Sequence, residues 1–249
     1  MSKKDIFKRK EYKYIINEIM FKNILSSIKK YLHIDEYGKE TIYSIYYDTK
    51  NYDLIRHSIE KPIFKEKFRT RSYGKTDNHN LLFAEIKKKF DGITYKRRVG
   101  SDEKDLLSFL NDKKELSGNL SFYGEELCNK QIQKEILFFL DFYKLEKKVF
   151  IAYERESFID DNNNLRITFD NNIRFRENDL NHNSTSYGKL LTNKDIYIME
   201  IKLENAFPFW LINILNENKL FPVSFSKYGE YYKNIILKNT RIFEGVENV

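Results

Sequence analysis

A lone cysteine, Cys128, leaves no partner for an internal disulfide and suits a reducing compartment. No apolar run approaches the ~18 residues of a membrane-spanning helix, and the opening stretch MSKKDIFKRKEYK lacks the apolar centre of a secretory leader, so a cytoplasmic chain without a transmembrane segment is expected. There is no G-x-x-x-x-G-K-[ST] loop, so nucleotide phosphates are not cradled by a Walker turn. The histidines His33, His57, His79 and His182 are scattered, with no ligand spacing among themselves or to Cys128, and are expected on the surface or in loops. Neither an internal repeat nor a Gly/Ser or Pro linker is found, and residues 1–249 are expected to form one domain.

What the chain has is aromatic residues and charge. Its 20 Phe and 18 Tyr must supply much of the buried area and strand propensity. Lys plus Arg outnumber Asp plus Glu by 44 to 37, a net charge of +7 that favours anionic partners without naming one. The pattern of that charge is more informative than its sum. Five stretches place it on alternate residues: Arg9/Glu11/Lys13, Lys65/Lys67/Arg69/Arg71, Glu85/Lys87/Lys89, Lys96/Arg98 and Glu200/Lys202. In an extended strand alternate side chains share a face, so each stretch concentrates its charge on one side. Aromatic or aliphatic residues occupy the other side of several, as with Tyr12 and Tyr14, or Met199, Ile201 and Leu203.

Strands are expected at 8–16, 41–48, 63–73, 81–90, 93–99, 148–158, 165–169, 173–176 and 196–203, with Asp91-Gly92 a tight hairpin turn. Helical spacing appears in 17–32, 51–60, 102–111, 130–146, 207–218 and 228–237. Trp210 with Phe207, Phe209, Leu211, Ile214 and Leu215 is expected as an apolar helix face, and 178–195 as the most polar loop. The class is therefore α+β, with a mostly antiparallel sheet.

Like charges on neighbouring strands, about 5 Å apart, repel one another, so something anionic must offset them. Two readings stand at this point. The basic face is either solvated, or it lines a barrel holding a phosphate chain and a divalent metal, with Arg forks on phosphate oxygens and Glu residues on the cation. Nucleic-acid binding calls for aromatics interleaved on the basic face, and here they tend to lie opposite it, so no nucleic acid is expected.

The ordered motifs Arg9-x-Glu11-x-Lys13, Tyr46-Tyr47-Asp48-Thr49, Lys67-x-Arg69-x-Arg71-x-Tyr73-Gly74, Glu85-x-Lys87-x-Lys89, Tyr153-x-Arg155 with Phe158, Arg166-x-Thr168-x-Asp170, Met199-Glu200-x-Lys202 and Phe225-Ser226-Lys227-Tyr228 resemble a VTC domain. That family is the polyphosphate polymerase module within the triphosphate tunnel metalloenzymes, beside the CYTH phosphatases and cyclases. The resemblance implies an eight-stranded antiparallel β-barrel tunnel with surrounding helices, acting on ATP and polyphosphate with a divalent metal, Mn2+ or Mg2+.

Matched residue by residue, Lys13, Arg69, Arg71, Lys87 and Arg155 hold the triphosphate and stabilise transfer. Further phosphate contacts fall to Arg9, Lys67, Arg166, Lys202 and Lys227, with Lys96 and Arg98 sharing one role, and Tyr153 matches a ring that stacks on the base. Glu200 matches the metal ligand, with Glu11 or Glu85 beside it. Superfamily relatives begin Glu-x-Glu-x-Lys, whereas Arg9 stands at the first position, which favours the polymerase branch over the hydrolases. Some polymerases carry a further Lys where this chain has Ser224, which points to a looser grip on product. A tunnel triphosphatase and a non-catalytic polyanion-binding module are the alternatives.

Overall fold

The computed structural model describes residues 10–76, 81–118, 120–122, 125–160, 162, 165–204 and 206–238. In chain order its elements are β1 (Lys10–Asn17), α1 (Glu18–Ile28), β2 (His33–Asp48), α2 (Asp53–Ile59), β3 (Phe64–Tyr73), β4 (Leu82–Phe90), β5 (Ile93–Ser101), α3 (Glu103–Asp112), β6 (Ser121–Phe122) and β7 (Glu125–Glu126). There follow α4 (Lys130–Tyr143), β8 (Glu146–Ile159), β9 (Leu165–Arg176), β10 (Lys189–Leu190), β11 (Ile196–Leu203), α5 (Phe209–Glu217), α6 (Lys227–Tyr231) and a π-helical turn at Tyr232–Leu237.

Eight strands follow one another in the hydrogen-bonded order β1-β11-β9-β8-β2-β3-β4-β5, with β10 added to β9. The pairs β1–β11, β11–β9, β2–β3, β3–β4 and β4–β5 are antiparallel. The expected α+β class and antiparallel sheet therefore hold, but the sheet has nine strands, not eight, and the expected closure into a barrel does not hold. Among the described residues β1 pairs only with β11 and β5 only with β4, so no backbone ladder joins the two ends of the order and the sheet is open.

Two strands are longer than expected. β2 begins at His33, because the polar run His33–Glu40, with Gly38 at φ +57°, shows no apolar alternation to mark it. β9 is continuous through Asp170, Asn171 and Asn172. Asn172 takes the left-handed region at φ 50° within the strand, and its side-chain amide donates to Glu154 Oε1 at 2.7 Å.

The chain divides into two interleaved compact units. The first comprises the described parts of residues 1–41, 153–173 and 192–225. Its core joins Tyr14 and Ile16 of β1, Phe21, Ile24 and Ile28 of α1, Ile167 and Phe169 of β9, Met199, Ile201 and Leu203 of β11, and Leu211, Ile214 and Leu215 of α5. Asn17 caps α1 by accepting from the Met20 N–H at 2.9 Å. Trp210 stacks on Tyr31 with ring centroids 4.3 Å apart. Phe209, expected on the apolar face, is instead 78% exposed at the first turn of α5.

The second unit comprises the described parts of residues 42–152, 174–191 and 226–249. Its core packs Tyr43, Ile45 and Tyr47 of β2, Phe68 of β3, Leu82, Ala84 and Ile86 of β4, Val99 of β5 and Phe150 of β8 under Leu106 and Phe109 of α3 and Ile136 and Phe139 of α4. Asp91 and Gly92 both have positive φ, 44° and 80°, as a two-residue type I′ hairpin requires. His182 lies in a loop, one of the two placements expected, but is buried there, with Nε2 2.8 Å from Thr70 Oγ1 and Nδ1 2.9 Å from Ser72 Oγ. Burial pushes its pKa down to about 3, with Lys147 and Arg176 adding to the effect. His79 lies outside the described residues.

Asp48 ties three pieces of the second unit together. Its buried carboxylate accepts the N–H groups of Thr49, Leu54 and Ile55 at 2.8, 2.9 and 3.0 Å, covering the start of α2, and the Tyr228 hydroxyl of α6 at 2.9 Å. Asp48→Ala strands all four donors and should lower the unfolding free energy by about 3 kcal/mol in urea titration, with unchanged slope. An unshifted midpoint would show that these bonds hold nothing in place.

Candidate functional site

The alternation on β3, β4 and β5 builds a basic face in the second unit. Register places Lys67, Lys87 and Lys96 side by side on the three strands, and Arg69, Glu85 and Arg98 one step further along. Arg71 lies beyond Arg69, opposite Ser44 of β2. Glu85, 2% exposed, is the hub of this face. Its Oε2 accepts from Arg69 Nε and Nη2 at 2.8 and 2.7 Å and lies 3.9 Å from Arg71 Nε, while Lys96 Nζ reaches Oε1 at 2.8 Å.

Burial alone would push the Glu85 carboxyl up, but Arg69, Lys96 and Arg71 outweigh it and hold the group well below the usual carboxylate range. The Lys96 ammonium moves below its ordinary value through burial, with Arg98 and Arg71 adding to the effect and Glu85 opposing it. This face therefore carries more positive charge than its one carboxylate neutralises.

A second tier holds the basic residues of this face. Arg69 Nη1 donates to the Tyr46 hydroxyl at 3.3 Å, the Tyr46 ring stacks on Tyr228 at 4.8 Å, and the Tyr228 hydroxyl is fixed by Asp48. Lys67 Nζ donates to Ser226 Oγ at 2.9 Å, next to Lys227 at the start of α6. Arg98 lies over the Phe83 ring at 5.1 Å.

The first unit carries a face of different balance. Lys13 of β1 is opposite Glu200 of β11, which is opposite Thr168 of β9, and Glu11, Lys202 and Arg166 form the neighbouring row. Lys13 Nζ sits between two carboxylates, 3.1 Å from Glu11 Oε1 and 3.4 Å from Glu200 Oε2, and donates to the Phe225 carbonyl at 3.2 Å. Burial lowers its pKa, but Glu200 and Glu11 reverse the sign and raise it overall. Lys202 Nζ is 2.6 Å from Glu200 Oε1.

Arg155 is gripped bidentately by Asp170, Nε to Oδ1 at 2.5 Å and Nη2 to Oδ2 at 2.7 Å. Arg166 Nη2 is held by Asp35 at 2.6 Å and Ser157 Oγ at 3.2 Å. Tyr153 is buried, with Arg155 5.4 Å from its ring centre. It supports the guanidinium, and stacking on a base would require the ring to be uncovered. Arg9 lies outside the described residues.

Most of the residues singled out in the sequence thus gather on one face in each unit, and four others join them. Asp35 and Asp170 are the counter-ions of Arg166 and Arg155. Ser44 and Thr168 have hydroxyl oxygens that are buried and without a hydrogen-bond partner among the described residues. Thr168 and Asp170 were visible as alternate residues after Arg166, whereas Asp35 falls in the polar run where no strand was expected.

No cluster of three or more His, Cys, Asp or Glu occurs among the described residues. Glu11 and Glu200, converging on one cationic point beside the orphaned Thr168 hydroxyl, still provide the one or two carboxylates that a hydrated Mg2+ or Mn2+ uses when phosphate oxygens complete its shell. Glu85 is less suited, since three cations, Arg69, Arg71 and Lys96, already surround it, against Lys13 and Lys202 at Glu200 and Lys13 at Glu11.

The fold is similar to that of two solved structures of putative adenylate cyclases. A putative adenylate cyclase from Bacillus halodurans matches at TM-score 0.52 and 12% identity, covering 88% of this chain and 95% of that one. A putative adenylyl cyclase from Hippeastrum, described as having a dominant triphosphatase activity, matches at TM-score 0.51 and 12% identity, covering 90% and 95%. The VTC domain model matches residues 8–236, and the chain belongs to that family. No curated protein matches the sequence.

Glu85→Gln isolates the charge at the hub. Because the folded carboxyl titrates below its unfolded value, its contribution is fully present above about pH 4.3 and fades as pH falls from there towards the lower folded value. Urea unfolding should find the variant less stable than the parent at neutral pH, with the gap closing only in strong acid. A gap that ignores pH contradicts the ion-pair account.

Proposed function

We propose that this chain is a metal-dependent polyphosphate polymerase, moving the γ-phosphate of ATP onto a polyphosphate chain with release of ADP. Membership of the VTC family supports the reading. The observation that carries it is the Glu85 hub, which holds Arg69, Arg71 and Lys96 on one face with charge in excess. Phosphoryl transfer asks a protein chiefly to position groups and to neutralise charge spreading over the equatorial oxygens, and such a face does both.

In the reaction a terminal oxygen of the acceptor chain attacks the γ-phosphorus, and the bond from that phosphorus to the β–γ bridging oxygen breaks, its electron pair leaving with ADP. The acceptor oxygen is largely ionised near neutral pH, given a second phosphate pKa of about 6, so no general base is needed. In the second unit Arg69, Arg71 and Lys87 receive equatorial oxygens. In the first unit, taken by itself, Arg155 keeps Nη1 for a phosphate oxygen while Asp170 fixes the other two nitrogens, and Lys13 adds charge. Lys67, Lys96, Arg98, Arg166, Lys202 and Lys227 serve the rest of the phosphate chain. Glu200 and Glu11 would hold Mg2+ or Mn2+, which when bound neutralises phosphate charge. Glu85 is the counter-ion that keeps the guanidinium groups in place.

A tunnel triphosphatase is the second reading, with water in place of the acceptor, and the triphosphatase activity attributed to the Hippeastrum protein of similar fold favours it. γ-Labelled ATP with Mn2+ or Mg2+ separates the two. The polymerase sends label into a ladder of polyphosphate, and Arg69→Ala should reduce kcat by about 100-fold or more. Label appearing only as orthophosphate selects the hydrolase. Tight binding without release of ADP under either metal removes both.

A further inference from the structure

One end of the β3–β4–β5 sheet exposes apolar side chains that no part of the proposed reaction uses. Ile63, Phe64, Phe90 and Tyr95 are 71, 42, 54 and 42% exposed. They cluster because Phe64 pairs with Phe90, Phe90 pairs with Ile93 across the Asp91-Gly92 turn, and the Asp91 N–H donates to the Ile63 carbonyl at 3.0 Å. The adjoining flank of α4 continues the surface. Glu135 ion-pairs there with Lys88 at 2.8 Å and Arg97 at 3.2 Å, and Phe138 and Phe142, three and seven residues further along the helix, stack on each other at 67 and 65% exposure.

The rim is basic. Lys65 lies directly opposite Lys89, with Lys61 close by, and none of the three forms an ion pair among the described residues. Burial, with Lys89 and Lys61 adding to it, holds the Lys65 ammonium below its ordinary value, as expected of cations crowded without a counter-charge. The nearby carboxylates of Glu66 and Glu135 are already engaged by Lys88.

We propose that this end of the sheet docks on an anionic lipid bilayer, with the Ile and Phe side chains entering the boundary between headgroups and acyl chains and Lys61, Lys65 and Lys89 meeting lipid phosphates. A soluble anion would satisfy the lysines and leave the apolar groups in water. A bilayer answers both, since amphipathic surfaces bind by buried apolar area plus attraction to anionic headgroups. The charge complementarity thus selects an anionic membrane over a neutral one.

Flotation of the full chain with vesicles tests this, using phosphatidylcholine alone or in equal parts with phosphatidylglycerol. The chain should float with the mixed vesicles, stay behind with the neutral ones, and be released by salt. Each of Lys61→Gln, Lys65→Gln and Lys89→Gln should weaken binding about five-fold. The pair Phe138→Ser/Phe142→Ser, on a separate element, should also cut the bound fraction while leaving the far-UV circular dichroism spectrum unchanged.

No binding to the mixed vesicles overturns the proposal, and so does binding that survives both sets of changes. Lipid-free self-association in the ultracentrifuge that Ile63→Ser abolishes would make the surface an interface between copies. Preferential capture of single-stranded RNA at this surface would overturn the proposal equally.

Discussion

Cations crowded on neighbouring strands have to be reconciled with a folded sheet, and carboxylates set among them, all but Glu11 buried, perform that reconciliation. Glu85 does so for Arg69, Arg71 and Lys96, Asp170 for Arg155, Asp35 for Arg166, and Glu11 with Glu200 for Lys13 and Lys202. Each pair loses solvation on burial and regains it only through close, hydrogen-bonded contact, which forces specific rotamers on long side chains that would otherwise wander. The same contacts that let the sheet form therefore preorganise the basic groups. Such ordering is what a site for a polyanion needs, because the entropy of fixing each Arg and Lys has already been lost on folding.

The two faces divide in charge balance. On β3, β4 and β5 one carboxylate stands against several cations, and burial, with Arg98 and Arg71 adding to it, depresses the Lys96 ammonium. On β1 and β11 two glutamates share Lys13, whose proton is held more tightly than usual. A base-rich face suits phosphate oxygens directly. A face on which two glutamates converge on one point suits a cation that phosphate then completes. The orphaned hydroxyls of Ser44 and Thr168, one on each face, are further groups whose hydrogen-bonding capacity a ligand would fill.

Period-two charge marked the strands that carry the site, and the register bears out why. Lys67, Arg69 and Arg71 stand opposite Lys87, Glu85 and Phe83, so residues two apart in sequence do fall on one face. The Asp91-Gly92 hairpin and the exact extent of β11 were likewise legible, from turn chemistry and from apolar alternation. What escaped was whatever had no periodic signal. The first half of β2 is polar on both faces and hid Asp35, and the Asp170-Asn171-Asn172 run looked like a break although it continues the strand. His182 is in a loop as expected, and only its burial was hidden, because that comes from packing against the distant Thr70 and Ser72. Closure of the sheet was implied by family resemblance and not by any local pattern, and among the described residues no ladder joins β1 and β5.

The central claim is that the Glu85-keyed basic face is preorganised for a chain of phosphates. Thermal unfolding at fixed ionic strength tests it most directly, with sulfate, pyrophosphate or tripolyphosphate added in turn. The account predicts that Tm rises in that order, with the largest rise for tripolyphosphate, and that Arg69→Ala and Arg71→Ala abolish the difference between tripolyphosphate and sulfate. Equal stabilisation by sulfate and tripolyphosphate, or a tripolyphosphate effect undiminished in both variants, would contradict it.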